Sequence, residues 1–194
     1  MKFEKIVLEG EHVRLEPLSQ QHKDGLCQVI TESELWKIFV TTIPHPCEID
    51  AFYDEARCTF DNNEGLAFAI IEKKSGQIAG TTRFYNGVAQ HKRVEIGYTF
   101  LGTKFQKTPV NTETKLLLLT HAFEVLQTIR VEFVADYFNT VSRNALLRLG
   151  AKQDGVIRNH AIMPNGRIRD SVLFSILSNE WQGVKENLNY RLGR

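Results

Sequence analysis

The sequence predicts an α/β (α+β) domain in which a mixed central sheet of about seven strands carries helices on both faces. Two observations support this prediction. Short alternating or apolar runs typical of strands are interspersed with longer stretches whose apolar residues recur at helical spacing. Turn signals separate them, such as Lys-Lys-Ser-Gly at 73–76 and Met-Pro-Asn-Gly at 163–166. A chain of 194 residues suits one domain over 1–194.

The first third of the chain predicts one strand and three helices. Residues 12–17 alternate in polarity and end at a proline, which predicts a first strand. Ser19 is a candidate cap for a helix that runs past Ile30, and a short helix is predicted at 34–39. Two prolines in 43–46 predict a break, and the apolar face of 48–61 predicts an amphipathic helix.

The rest of the chain predicts six strands and three helices. The strands are predicted at 66–72, 77–84, 94–100, 130–135, 151–160 and 168–177. The helices are predicted at 112–126, at 141–149 before Gly150, and from Asn179 onward.

Composition excludes several classes of function. The net charge of +1 gives no electrostatic basis for binding nucleic acid. No run approaches the roughly 20 apolar residues that span a bilayer, and no signal peptide is visible, so we expect a cytoplasmic protein with no membrane partner. Cys27, Cys47 and Cys58 form no C-x-x-C pair and are predicted to be reduced, buried thiols. His45 and His91 lack a second ligand at metal spacing, so no metal is predicted.

The loop at 103–111 is the first candidate site. Thr108 followed by Pro109 is typical of an N-cap and a first helical position. Free backbone N–H groups at that helix start, with Lys107 beside them, would bind an anion. An ordinary capped helix explains the same residues equally well.

Three blocks of the sequence are informative together: EIGY at 95–98, QKTPVNTETK at 106–115 and NTVSRNALLRLGA at 139–151. They resemble the GNAT acetyltransferases, and more narrowly their ribosomal-protein N-terminal (RimJ/RimL-type) branch. The resemblance extends from HVRLE at 12–16 to a closing pattern that ends in NEW at 179–181. It implies a GNAT fold and an acetyl-CoA-dependent N-acetyltransferase.

The resemblance also implies a set of residues that bind acetyl-CoA. In the family's pyrophosphate loop Gln106 matches, whereas Pro109 and Asn111 replace two small residues and Pro109 removes one N–H donor. The expected contacts to the cosubstrate involve Phe100, Leu101, Gln106, Lys107, Thr108, Val110, Asn111, Thr112, Asn139, Ser142 and Arg143.

Several of these residues have more than one interpretation. The backbone N–H of Phe100 or Leu101 is expected to stabilise the acyl oxygen. Asn139 is equally a good N-cap for the helix at 141–149, and Arg143 meets a phosphate or lies on a solvated helix face.

Glu95, acting through a water molecule, is the first candidate for the catalytic base, because strand alternation places it opposite Val94 and Ile96 just before the cofactor loop. A solvent-facing carboxylate is the equal alternative. Asp170 and His160 are weaker candidates, since both lie on terminal strands rich in arginine.

The family's usual tyrosine next to the leaving thiolate is absent from this chain. Leu146 stands at the matching position, seven residues after Asn139. Ser142 is therefore the remaining hydrogen-bond donor to the leaving thiolate.

The expected acceptor is a primary amine. An α-amino group has a pKa of about 8, so a protein N-terminus needs only a mild base. Amino acids, polyamines and antibiotic amines remain alternatives, and the loops at 41–47 and 86–92 offer no acidic cluster for a polycationic drug. Tyr98, Tyr137 and Phe138 line the acceptor pocket or belong to the core.

Two further alternatives concern the class of protein and its assembly. The missing tyrosine also fits a non-catalytic module that binds or senses acyl-CoA. The C-terminal helix with Trp181 is compatible with a homodimer.

Overall fold

The computed structural model describes residues 1–194 and contains one eight-stranded mixed sheet, which confirms the predicted fold class. The strands are β1 (Leu8–Glu9), β2 (Val13–Pro17), β3 (Leu66–Glu72), β4 (Ile78–Val88), β5 (Arg93–Leu101), β6 (Arg130–Asp136), β7 (Lys152–Ile162) and β8 (Ile168–Leu177). Their order is β1-β2-β3-β4-β5-β6-β8-β7. All neighbours are antiparallel except β5 and β6, which are parallel. The short β1 is the strand that the sequence did not predict.

Five helices cover the two faces of the sheet. They are α1 (Lys23–Ser33), α2 (Ile49–Asp61), α3 (Pro109–Thr120), α4 (Thr140–Leu149) and α5 (Trp181–Arg191). Apolar residues of α1 and α2 form one cluster with Phe100 of β5. Residues of α3, α4 and α5 form the larger cluster against the opposite face. Helices therefore lie on both faces, as predicted.

Local capping explains where the structure moves a predicted helix boundary. The Thr108 hydroxyl accepts the N–H of Val110 at 3.4 Å, so α3 begins at Pro109 and not at residue 112. Its C-terminal extension, His121–Val125, is a π-helical turn. The short helix predicted at 34–39 is a single 3₁₀ turn, Leu35–Lys37, because Glu34 takes a left-handed conformation with φ of 46°.

The prediction of three buried cysteines is wrong, because none of them is fully buried. All three thiols are free, but Cys47 and Cys58 are exposed and Cys27 is half-buried. Cys58 lies on α2, whose inward face is already occupied by Phe52, Tyr53 and Ala56. A cysteine at that position therefore faces solvent.

A gap opens between the two parallel strands and positions the candidate site. β5 pairs with β6 only from Arg93 to Glu95, after which β5 follows β4 while β6 follows β8. The register between β4 and β5 also shifts next to Tyr98, whose φ is 49°. This bulge, together with the lost pairing, leaves free backbone edges beyond Glu95.

Candidate active site

The backbone edge of β5 offers hydrogen-bonding groups to the gap. The N–H of Gly102 donates to the carbonyl of Ala79 at 2.9 Å, toward β4. Strand alternation then directs the N–H of Phe100 toward β4 as well, and the N–H and C=O of Leu101 toward the gap. The Gln106 side-chain amide donates to the Leu101 carbonyl at 3.0 Å. Of the two candidate donors to an acyl oxygen, Leu101 therefore faces the gap, whereas the Phe100 ring packs against α1 and α2.

The start of α3 has the features of an anion site. Thr108 caps the helix and Pro109 occupies its first turn, as predicted. Helix geometry leaves the N–H of Asn111 without an intrahelical partner. Lys107 is exposed beside it with φ of 60°, and Thr112 is half-buried in the next turn. A free N–H, hydroxyl groups and a lysine at one helix N-terminus are the groups that a diphosphate requires, so these residues fit acetyl-CoA.

The start of α4 contains the other predicted cofactor residues. The Asn139 side chain accepts the N–H of Ser142 at 3.0 Å, so Asn139 is the N-cap of α4. Ser142 is half-buried. Arg143 donates to the Tyr137 carbonyl at 2.9 Å and lies over the Tyr137 ring, so its guanidinium is held at the helix start. Leu146 is buried in the main core.

Glu95 is buried at the root of the gap, with 6% of its surface exposed. It belongs to the last residue pair between β5 and β6, opposite Glu132. Tyr85 donates its hydroxyl to one carboxylate oxygen, and the Asn86 amide donates to the other at 3.1 Å. Burial raises the pKa of Glu95, and the two hydrogen bonds oppose that rise. The carboxylate is thus buried and oriented, not solvent-facing.

The arginines of the terminal strands pair with a carboxylate that sequence analysis missed. Asp136, at the end of β6, has a fully buried side chain that pairs with Arg167 and lies 3.9 Å from Arg169. Asp170 instead accepts the N–H of Asn159 at 2.7 Å, and His160 is exposed on β7. Neither weaker candidate for the base lies beside Glu95 in a shared hydrogen-bond network.

An open groove of about 740 Å³ lies beside the gap, on the side of the sheet covered by α1 and α2. Its lining includes Trp36, Phe39, His45, Phe52, Tyr98 and Met163. Two carboxylates also face it, Glu48 at the N-cap of α2 and Glu55 within α2, and sequence analysis did not single them out. The Tyr98 hydroxyl donates to Glu55 at 2.5 Å, and its ring contacts the Tyr85 ring edge-on at 5.1 Å. Tyr98 therefore connects the groove with the Tyr85–Glu95 pair.

The remaining predicted aromatic residues have different surroundings. Tyr137 and Phe138 are exposed at the end of β6, outside the groove lining. Trp181 is buried and stacks on Phe123 at 5.3 Å, so its ring belongs to the core. None of the helices combines the length and apolarity that crossing a bilayer requires. No three His, Cys, Asp or Glu side chains converge as metal ligands would.

Comparison with known proteins connects this geometry to one family. Residues 12–152 match the model of the acetyltransferase (GNAT) domain. A Bacillus subtilis (strain 168) protein provisionally named ribosomal N-acetyltransferase YdaF is 25% identical over 184 residues, covering 91% of this chain and 97% of its own length.

Two solved structures extend the comparison. A GCN5-related N-acetyltransferase from Brucella melitensis superposes with a TM-score of 0.86 at 31% identity, covering 98% of this chain and 86% of that one. Mycobacterium smegmatis RimJ in complex with CoA-disulfide shares the fold with a TM-score of 0.82 at 17% identity, covering 96% of this chain and 95% of that one.

Proposed function

Because this chain belongs to the GNAT family of acetyl-CoA-dependent acetyltransferases, we propose that it acetylates the α-amino group of a protein N-terminus. The observation that carries the proposal is the buried Glu95 carboxylate, held by Tyr85 and Asn86 where β5 and β6 separate. In this proposal the base serves an acyl-CoA held at the backbone edge of β5 and an amine that arrives through the groove, which Tyr98 connects to the Tyr85–Glu95 pair.

The choice of an α-amine rests on chemistry and on the relatives. Roughly a tenth of an α-amino group is neutral at pH 7, so a single carboxylate of raised pKa is a sufficient base. The groove is open and partly apolar, which suits an extended peptide. Glu48 faces it and would pair with an N-terminal ammonium group, whereas Glu55 is already paired with the buried Arg83 at 3.4 Å. YdaF carries a ribosomal N-acetyltransferase name, and RimJ was solved with CoA-disulfide.

The proposed roles divide the reaction among this chain's own groups. Acetyl-CoA supplies the activated acetyl group. Glu95 accepts the proton of the attacking amine, directly or through one water molecule. The N–H of Leu101 donates to the acyl oxygen as negative charge develops on it. The Ser142 hydroxyl donates a hydrogen bond to the departing thiolate, since Leu146 cannot.

Two measurements test this function. We expect calorimetry to detect acetyl-CoA binding, with desulfo-CoA reporting the part contributed by the phosphates and adenosine. A thiol-release assay should then show faster turnover with N-terminal peptides than with free amino acids or polyamines. Binding with turnover on small amines alone would exclude the N-terminal acceptor, and the absence of acetyl-CoA binding would remove the whole proposal.

A non-catalytic acyl-CoA sensor is the second candidate, and Leu146 is the observation that favours it. This side chain is buried in the core at the position where the family resemblance implies a tyrosine, so no phenol is available there to protonate the thiolate. A sensor would bind acetyl-CoA and release no CoA with any amine in the panel.

A further inference from the structure

Lys115 is a buried lysine without a carboxylate partner. It lies on α3, and its ammonium group contacts two hydroxyls, that of Thr99 at 2.7 Å and that of Thr82 at 3.4 Å. The two threonines, on β5 and β4, also bond to each other at 2.8 Å. Burial lowers the pKa of Lys115 to about 7.

The ammonium group is not explained by stability. Removing a charge from water without an opposite charge is unfavourable, and two neutral hydroxyls compensate only in part. An unbranched apolar side chain of similar length would pack against the same helix and sheet without that cost. The residue therefore has a role that an apolar side chain would not fill.

The position of Thr99 indicates that role. It follows Tyr98, whose left-handed backbone forms the bulge of β5, and it precedes the segment that faces the gap. Thr99 lies on β5 two residues before Leu101, at the point where the register with β4 shifts. A non-glycine residue in the left-handed region is strained and persists only where its surroundings hold it. Lys115 bonds the side chain immediately after that strained residue.

The helix that begins at the proposed anion site also carries Lys115. The start of α3 supplies the anion site, and Lys115 lies two turns later on the side that faces the sheet. We propose that Lys115 is a positioning residue, which acts through Thr99 to hold the bulged segment of β5 and so aims the N–H of Leu101 at the acyl group. This role rests on the proposed acetyl transfer.

Two substitutions test the role by kinetics. We expect Lys115→Met and Thr99→Val each to lower kcat at least tenfold, with the melting temperature unchanged or higher for Lys115→Met. Because both substitutions remove the same Lys115–Thr99 hydrogen bond, the double variant should be no slower than the slower of the two single variants. Thr81→Val is the matched control, since its buried hydroxyl donates to the Phe68 carbonyl at 2.7 Å and does not touch Lys115. Its kcat should stay within twofold of wild type.

A second readout does not depend on activity. Amide hydrogen exchange across 97–102 should be faster in Lys115→Met than in wild type, and unchanged in Thr81→Val. Equal exchange, or a kcat within twofold of wild type for both test variants, would overturn the positioning role. If Lys115→Met does not fold, Thr99→Val carries the same test. If the wild-type protein does not bind acetyl-CoA, the proposed function is rejected. Hydrogen exchange would still decide whether Lys115 holds the bulge.

Discussion

The carboxylate of Glu113 on α3 accepts the backbone N–H of Val13 at 2.8 Å, across 100 residues of sequence. It also accepts the N–H groups of Glu11 at 3.0 Å and His12 at 2.6 Å, and it pairs with Arg194. Burial acts to raise the pKa of Glu113, but these bonds together lower it. One buried side chain thus attaches α3 to the start of β2 and to the C-terminus.

Glu113→Gln should destabilise the protein by roughly 2–3 kcal/mol at pH 7. The variant replaces one carboxylate oxygen, which accepts backbone N–H groups, with an amide NH₂ group that cannot accept them. A lowered folded pKa contributes stability that is present above the unfolded value and is lost as pH falls through the folded value. The gap between wild type and variant should therefore shrink in acid. Urea unfolding at pH 7 and pH 4 measures this difference in stability. Glu64→Gln is the control, because Glu64 is exposed. Equal stability at pH 7 would contradict the attachment role.

Glu95→Gln should lower kcat/KM by about 10²–10⁴-fold, the range for loss of a positioned base, while leaving acetyl-CoA affinity unchanged. The raised pKa of Glu95 places the acid limb of the pH–rate profile above the ordinary carboxylate value, since only the ionised form accepts a proton. Activity measured from pH 6 to pH 9 tests this assignment. An unaltered kcat/KM in the variant would reject Glu95 as the base.

Tyr85→Phe should move the acid limb of the profile to higher pH. The hydrogen bond from Tyr85 lowers the pKa of Glu95, so its loss lets burial raise that pKa further. Tyr53→Phe is a matched control, because the Tyr53 hydroxyl is buried without a hydrogen-bond partner. If Tyr85→Phe does not shift the acid limb of the pH–rate profile, the hydrogen bond from Tyr85 does not set the pKa of Glu95.

Lys107→Ala and Asn111→Ala should each weaken acetyl-CoA binding by about 3–10-fold, as expected for loss of one partly screened charge or one polar contact at a helix start. The affinity for desulfo-CoA should fall by the same factor, since the proposed contact is with phosphate. For Lys107 the effect should diminish in high salt. Calorimetry at two ionic strengths measures both effects. Affinities like wild type in both variants would show that the start of α3 is not the phosphate site.

Lys115→Met should remove a rise in stability with pH. Below pH 7 the lysine is charged in both states; between pH 7 and its ordinary value of 10.5 only the unfolded chain binds the proton. The free energy of unfolding of wild type should therefore rise across that interval, by at most about 1.4 kcal/mol per pH unit. Denaturant unfolding at pH 6, 7.5 and 9 compares the two. If the free energies of unfolding of wild type and variant change with pH in parallel, Lys115 titrates normally in the folded protein.

Much of the fold follows from local sequence. The apolar run at 66–72 and the helical spacing at 141–149 specify their elements because strand and helix periodicity are properties of neighbouring residues. The caps Thr108 and Asn139 are likewise local, since each side chain bonds an N–H two or three residues ahead. β4 was predicted to end at residue 84 but runs to Val88, because pairing with β5 extends it through polar residues.

The sequence by itself determined the elements, the caps and, through its motifs, the family. Tertiary structure alone decided the chemistry of the site, because each decisive contact joins residues that only strand pairing or helix packing brings together. The Tyr85–Glu95 bond depends on the register of two strands, and the Lys115–Thr99 bond depends on how α3 packs against the sheet. Burial removes water from these groups, and that desolvation, which no local pattern encodes, shifts their pKa values.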